Sequence, residues 1–246
     1  MKAIKFLMLI VAAVIIYSCE YDSDYSSNGS SDTGTSGSLA RFAIAGNYLY
    51  TVELEHLKVF DISVERSPMF IKQTSPGFGI ETIFANGDYL FLGSRNGVYI
   101  YDISNRENPI QISYYTHVYS CDPVIVNGDY AYSTLNSSGP CGRGSNQLDV
   151  IDISDKSNPF TVLEIEMESP KGLVISDNLL FVCDNGIKIY DLTNPELPIF
   201  IKKEAIDAFD VIPIDDLLIV TAESGLYIYE ISDTQLNLLS TLHSNI

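Results

Sequence analysis

A short apolar run that ends in an acidic residue occurs five times along the chain. The five copies are Leu57–Asp61, Val98–Asp102, Leu148–Asp152, Ile187–Asp191 and Leu226–Glu230. The acids are 41, 50, 39 and 39 residues apart, and each is followed by an aliphatic residue and then by Ser or Thr. β-Branched and aromatic residues dominate these runs, and no helical period follows residue 38. The pattern predicts β-strands.

A second pattern lies upstream of each run and marks a turn. Three copies read Gly46-Asn47, Gly87-Asp88 and Gly128-Asp129, each followed by Tyr. Weaker forms are Asp177-Asn178 and Asp215-Asp216. Gly-Asp and Gly-Asn between β-rich segments are typical of hairpins. Each unit therefore predicts four short strands, which in the second unit cover roughly residues 80–86, 88–93, 97–103 and 109–115.

The repeats predict the fold class. Four antiparallel strands in about 40 residues, repeated along a chain, are typical of a β-propeller. A single blade cannot bury both of its faces, so the blades must stack on one another. The sequence predicts an all-β fold, a β-propeller of about five four-stranded blades over residues 39–246. A ring of five blades would close without strand exchange, although a strand from the segment before residue 45 could also complete a blade.

The N-terminus resembles an export signal. A short basic segment precedes 12 apolar residues, 6–17, which are too few for the roughly 20 that span a membrane. Ile16-Tyr17-Ser18-Cys19 then resembles a bacterial lipobox. The resemblance implies that residues 1–18 are a signal peptide and that Cys19 is acylated after cleavage. The alternative is that Cys19 is buried or is itself cleaved off.

Residues 19–38 predict an anchored tether. Ser, Gly, Asp and Thr dominate after Cys19, and such a composition cannot offset its ordering entropy. The acidic stretch 20–24 resembles the surface-export signal of Bacteroidetes lipoproteins, although a solvated linker would look the same. We expect a lipid-anchored outer-membrane protein, facing the cell surface or the periplasm.

The acidic balance excludes one class of partner. The chain has 14 Lys and Arg against 32 Asp and Glu, a formal net charge of −18. Nucleic-acid binding through phosphates needs a basic face. We expect contact with the membrane only through lipid on Cys19.

The repeats also resemble a known family. Leu148-Asp149-Val150-Ile151-Asp152 and Val98-Tyr99-Ile100-Tyr101-Asp102, each followed by Ile-Ser and Asn-Pro, resemble LVIVD repeats. The resemblance covers residues 39–246 and extends to LVIVD-containing lipoproteins of Bacteroidetes. It implies a propeller-like cell-surface protein and no particular biochemical activity.

Three cysteines remain beyond Cys19. Cys121 and Cys141 both belong to the third unit, and export would favour a disulfide between them. A bridge to Cys183 is the alternative, although Cys183 ends a strand-like run and suits a buried apolar position. His117 with the three cysteines could form a zinc site, but no Cys-x-x-Cys spacing supports it. We expect no metal and no cofactor.

Charged residues begin several inner strands. Counted back from the turns, Glu81, Asp122, Lys171 and, within one residue, Asp210 occupy the same blade position; in the first unit Ala40 or Arg41 falls there. These side chains could converge as a polar ligand site, a cation site or the carboxylates of a glycosidase. They could equally form a solvated rim in which Lys171 and Arg41 offset the acids.

No catalytic constellation is apparent. Neither a nucleophile-elbow pattern nor a His-Glu-x-x-His motif is present. The acid that ends each run recurs in every unit, which indicates turn capping. The main hypothesis is a non-catalytic binding or scaffold module for a protein or glycan. The alternative is a carbohydrate-active propeller using Glu81, Asp122 and Asp210, and a purely structural role in an envelope assembly is a third possibility.

Overall fold

The computed structural model describes residues 39–117, 123–137 and 144–243. These residues form five four-stranded antiparallel sheets, each with consecutive strands paired in order. The predicted all-β class and the count of five blades are confirmed. Within the described residues, no helix has the length and hydropathy needed to span a membrane.

Blades 1 to 5 follow the chain, with four strands each. Blade 1 contains β1 (Phe42–Ala45), β2 (Tyr48–Glu53), β3 (His56–Asp61) and β4 (Met69–Thr74). Blade 2 contains β5 (Ile80–Asn86), β6 (Tyr89–Ser94), β7 (Gly97–Asp102) and β8 (Ile110–Thr116). Blade 3 contains β9 (Val124–Asn127), β10 (Tyr130–Leu135), β11 (Gln147–Asp152) and β12 (Phe160–Glu166). Blade 4 contains β13 (Pro170–Ser176), β14 (Leu179–Asp184), β15 (Ile187–Asp191) and β16 (Ile199–Glu204). Blade 5 contains β17 (Ala208–Ile214), β18 (Leu217–Ala222), β19 (Gly225–Ser232) and β20 (Gln235–His243).

The turn between the first two strands of each blade adopts a left-handed backbone. The first turn residue has a positive φ in every blade: Gly46 (56°), Gly87 (57°), Gly128 (60°), Asp177 (51°) and Asp215 (53°). Glycine adopts this conformation without steric cost, and Asp is among the few other residues that tolerate it. The weaker sequence forms in blades 4 and 5 therefore make the same turn.

Four clusters of buried apolar side chains join the blades in chain order. They lie between blades 1 and 2, 2 and 3, 3 and 4, and 4 and 5. The first strands of successive blades are in contact, and the Ile83 amide of β5 donates to the Ala40 carbonyl at 2.9 Å. Among the described residues, no such cluster joins blade 5 to blade 1. The residues that the structure describes thus form five blades joined by four apolar interfaces.

Tyrosine hydroxyls add polar bonds at two of these interfaces. The Tyr50 hydroxyl donates to the Arg106 carbonyl of blade 2 at 2.8 Å. At the equivalent place, the Tyr132 hydroxyl donates to the Pro195 carbonyl of blade 4 at 2.9 Å. Both side chains are otherwise fully buried. These residues combine apolar packing with a satisfied polar tip, as expected for strand tyrosines.

Candidate functional site

The first strands of blades 2, 4 and 5 each contain a register shift near their start. The shifts lie between Ile80 and Thr82, between Pro170 and Leu173, and between Ala208 and Asp210. When the blades are aligned on the pairs that follow, Glu81 and Lys171 are equivalent, and Phe209 occupies their position in blade 5. Asp210 is one residue further along. A count of six residues back from Gly87, Asp177 and Asp215 reaches the same three residues, because the strand pairs between the turn and this position are regular.

Glu81 forms an ion pair within its own blade. The Arg95 Nε lies 2.9 Å from Glu81 Oε1, and both side chains are largely buried. The Arg95 guanidinium also lies 5.8 Å from the centre of the exposed Phe78 ring, a cation–π distance. The Glu81 carboxylate is therefore engaged by a cation of the same blade.

Lys171 is engaged in a similar way at the junction of blades 4 and 5. Its Nζ lies 2.9 Å from Asp207 Oδ1 and 4.8 Å from the centre of the Phe209 ring. Asp210 packs against Gly172, where an added Cβ would lie 2.1 Å from Asp210 Oδ1. Gly172 therefore allows this close approach between the two blades. Lys171 and Asp210 thus lie at the same junction.

Cys183 lies beneath this junction as a free, fully buried thiol. Burial raises its pKa far above the ordinary value, and the Asp210 carboxylate adds to the effect while Lys171 opposes it. The interpretation of Cys183 as a buried apolar residue is confirmed, and the alternative of a bridge to Cys183 is wrong. Such a thiol is protonated and inert as a nucleophile.

Several predicted site residues lie outside the described residues. They are Cys19, Cys121, Asp122 and Cys141. Their proposed roles in lipidation, in a disulfide and in ligand binding stay predictions. In the part of the chain that the structure describes, no group of three or more His, Cys, Asp or Glu side chains is arranged to hold a metal ion.

The acid that ends the third strand caps the turn that follows. The Oδ1 atoms of Asp61, Asp102, Asp152 and Asp191 accept the amides of Ser63, Ser104, Ser154 and Thr193 at 2.7–2.8 Å. Hydrogen bonds from the side chain and backbone of that Ser or Thr lower the pKa of each carboxyl. The predicted architectural role is confirmed in these four blades.

The sequence did not reveal the role of Asp184, a fully buried carboxylate. Its Oδ1 accepts the Ser169 amide at 2.6 Å and the Glu168 amide at 3.0 Å, and its Oδ2 lies 2.6 Å from the Lys188 Nζ. Burial raises its pKa, but these cationic and amide donors outweigh burial and hold it below the ordinary value. Asp184 fixes the connection between blades 3 and 4. An acid at the end of an otherwise apolar strand was the available signal.

Asp149 is a second buried carboxylate, with a different environment. Burial raises the pKa of Asp149, and the Glu164 carboxylate raises it further. The Gln147 amide, which donates to Asp149 Oδ1 at 2.6 Å, opposes this rise, as do His117 and Tyr115. A polar cleft of about 600 Å³ lies beside it. Ser145, Asn146, Gln147, Glu164, Glu166 and Met167 line this cleft. In the other repeats the position of Asp149 is Lys or Tyr, which was the signal in the sequence.

Similar solved structures share the fold. A functionally unknown protein from Desulfotomaculum acetoxidans aligns with a TM-score of 0.68 at 12% identity, over 87% of this chain and 70% of that chain. The periplasmic gluconolactonase of Pseudomonas aeruginosa aligns at 0.63 and 15% identity, over 80% and 68%. A protein from Lactobacillus plantarum aligns at 0.66 and 14%, over 79% and 67%. Identities this low show similarity of fold alone.

The family is shown by the repeats themselves. No curated protein matches the sequence. The LVIVD repeat matches residues 36–74, 81–117 and 120–166, which are the first three blades with the segments that flank their strands. Blades 4 and 5 have the same strand order and the same turns. The chain belongs to the LVIVD repeat family.

Proposed function

We propose that the protein is a non-catalytic binding or scaffold module carried on a lipid anchor at the outer membrane. The observation that carries the non-catalytic part is the pairing of Glu81 with Arg95 and of Lys171 with Asp207, each at 2.9 Å. A carboxylate that acts as nucleophile, acid or base must be able to reach its substrate. Here Glu81 and Lys171 are each already paired with an opposite charge, Arg95 and Asp207.

The anchor rests on the sequence. Residues 1–18 resemble a lipoprotein signal, Cys19 is the acylation site, and the 19–38 segment has the composition of a tether. Labelling of growing cells with an alkyne fatty acid tests the anchor. We expect label on the wild-type protein and none on Cys19→Ala. Equal labelling of both would contradict the anchor.

The binding role is tested in intact cells. A membrane-impermeant cross-linker should yield a specific adduct with the wild-type protein, and protease added to intact cells should cleave it if it faces outward. Full protection would place it in the periplasm. Turnover of a glycan or a sugar lactone, with loss of turnover in Glu81→Gln, would contradict the non-catalytic proposal.

The second candidate function is a carbohydrate-active propeller. One structural neighbour is a periplasmic gluconolactonase from Pseudomonas aeruginosa, and Glu81, Asp122 and Asp210 are the acids that a sugar site would use. This candidate expects Glu81→Gln and Asp210→Asn to remain folded and to lose sugar binding or hydrolysis. Unchanged binding in both variants would remove it.

A further inference from the structure

Each blade has two different apolar faces, which the internal interfaces always combine in the same way. We call the face that contacts the preceding blade the front face; in blade 2 it carries Leu90 and Leu92. The back face contacts the following blade; in blade 2 it carries Phe91, Val98 and Ile100. All four internal interfaces join a back face to the next front face.

Among the residues that the structure describes, no blade packs on the front face of blade 1. Ala43, Tyr50 and Val59 pack on blade 2. Because side chains alternate along a strand, their neighbours Phe42, Ile44, Leu49 and Phe60 form the front face. Phe42 is 52% exposed and the other three are half-buried.

In the described part of the chain, no blade packs on the back face of blade 5. Tyr227 and Tyr229 pack on blade 4, so Leu226 and Ile228 belong to the opposite side, with Leu242 paired to Leu226. Leu242 is 71% exposed. Ile219 of β18, which is paired with Ile228, is half-exposed, whereas its counterpart Phe91 on the internal back face of blade 2 is 0% exposed. Among the described residues, blades 1 and 5 therefore each carry an apolar face that is half-exposed where its counterparts inside the fold are buried.

We propose that the back face of blade 5 of one copy docks on the front face of blade 1 of a second copy. This inference deepens the proposed function, because it names a partner for the binding module. A second copy fits because one chain carries both halves of an interface that it already forms four times, so the contact would continue an established interface. A contact between two different faces is head-to-tail and leaves one face of each kind at the ends of a dimer.

The net charge of −18 makes copies repel one another, and salt screens such repulsion while apolar contact persists. Association should therefore strengthen with added salt.

The test uses the full chain, purified in a mild detergent and measured by size exclusion with light scattering. We expect the wild type to form dimers or longer assemblies, more so at high salt. Phe42→Asp and Leu242→Asp should each elute as a monomer. A mixture of the two should restore a 1:1 dimer, because each variant retains the face that the other has lost.

Controls keep the result interpretable. Phe160→Asp changes a side chain that is 53% exposed on the outer strand of blade 3 and should leave assembly unchanged. Leu226→Asp, at the residue paired with Leu242, repeats the blade 5 test, and circular dichroism confirms that each variant is folded. A monomeric wild type would overturn the proposal. This holds whether the monomer arises because blade 5 closes on blade 1 of the same chain or because residues 1–38 cover one of the two faces. Failure of the mixture to form a dimer would also overturn it. A monomer that still captures a partner on cells would leave the proposed function standing.

Discussion

Blades 4 and 5 have the same four strands in the same order, but among the described residues only blade 4 is covered on both faces. Phe181 of β14 is fully buried, whereas Ile219 at the equivalent position of β18 is half-exposed. Asp184 ends β14 with a buried ion pair to Lys188, and the equivalent residue of blade 5 is Ala222. The same strand pattern therefore gives different local stability, set by what covers the blade.

The largest contrast is expected at the equivalent core positions. Phe181→Ala should cost about 4 kcal/mol of unfolding free energy, because it removes a large side chain from a filled interface. Ile219→Ala should cost about 1 kcal/mol, since its site is partly solvated. Urea unfolding, followed by circular dichroism in a Leu242→Asp background, measures both. Equal losses would mean that the back face of blade 5 is covered.

The buried ion pair of blade 4 should give the next largest effect. Asp184→Asn leaves the Lys188 ammonium without its counter-charge, and we expect a loss of about 3 kcal/mol. The folded pKa of Asp184 is lowered, so its contribution is present above the unfolded value of about 3.9. It is lost as pH falls through the folded pKa. Stability of the wild type and the variant, compared from neutral to acid pH, should converge.

The same substitution in blade 3 should have the opposite sign. The folded pKa of Asp149 is raised by burial, so its ionised form costs stability as pH rises through that pKa. Asp149→Asn should therefore raise stability at pH 7 by up to about 1 kcal/mol, while the Gln147 amide retains an acceptor. Thermal unfolding of Asp149→Asn beside Asp184→Asn provides the comparison. If both substitutions destabilise the protein, the ionised carboxylate of Asp149 stabilises the fold, contrary to this prediction.

The sequence predicted the strands better than it predicted the interfaces. The second blade was expected at roughly 80–86, 88–93, 97–103 and 109–115, and its strands are Ile80–Asn86, Tyr89–Ser94, Gly97–Asp102 and Ile110–Thr116. Alternation and turn residues are local properties, so a single sequence carries them. The contacts of Lys171 with Asp207 and with the Phe209 ring depend on how blades 4 and 5 pack, which no pattern within a single repeat records.

Contacts that a residue makes beyond its own strand or repeat were the other feature that the sequence could not predict. The role of Asp184 depends on the backbone amides of Glu168 and Ser169 in the preceding connection. The pairing of Glu81 with Arg95 depends on a side chain from the neighbouring strand. Whether blade 5 reaches blade 1 depends on the twist that accumulates over five sheets. A pattern that is repeated five times gives the number of blades and leaves their closure open.

Amide hydrogen exchange of the Phe42→Asp, Leu242→Asp double variant tests the central claim, that the five blades have four interfaces and two open faces. Local opening needs less free energy where fewer apolar contacts hold a segment. We predict that amides of β18 and β19 in blade 5 exchange much faster than those of β14 and β15 in blade 4. Equal protection of the two blades would contradict the claim and would indicate a closed ring.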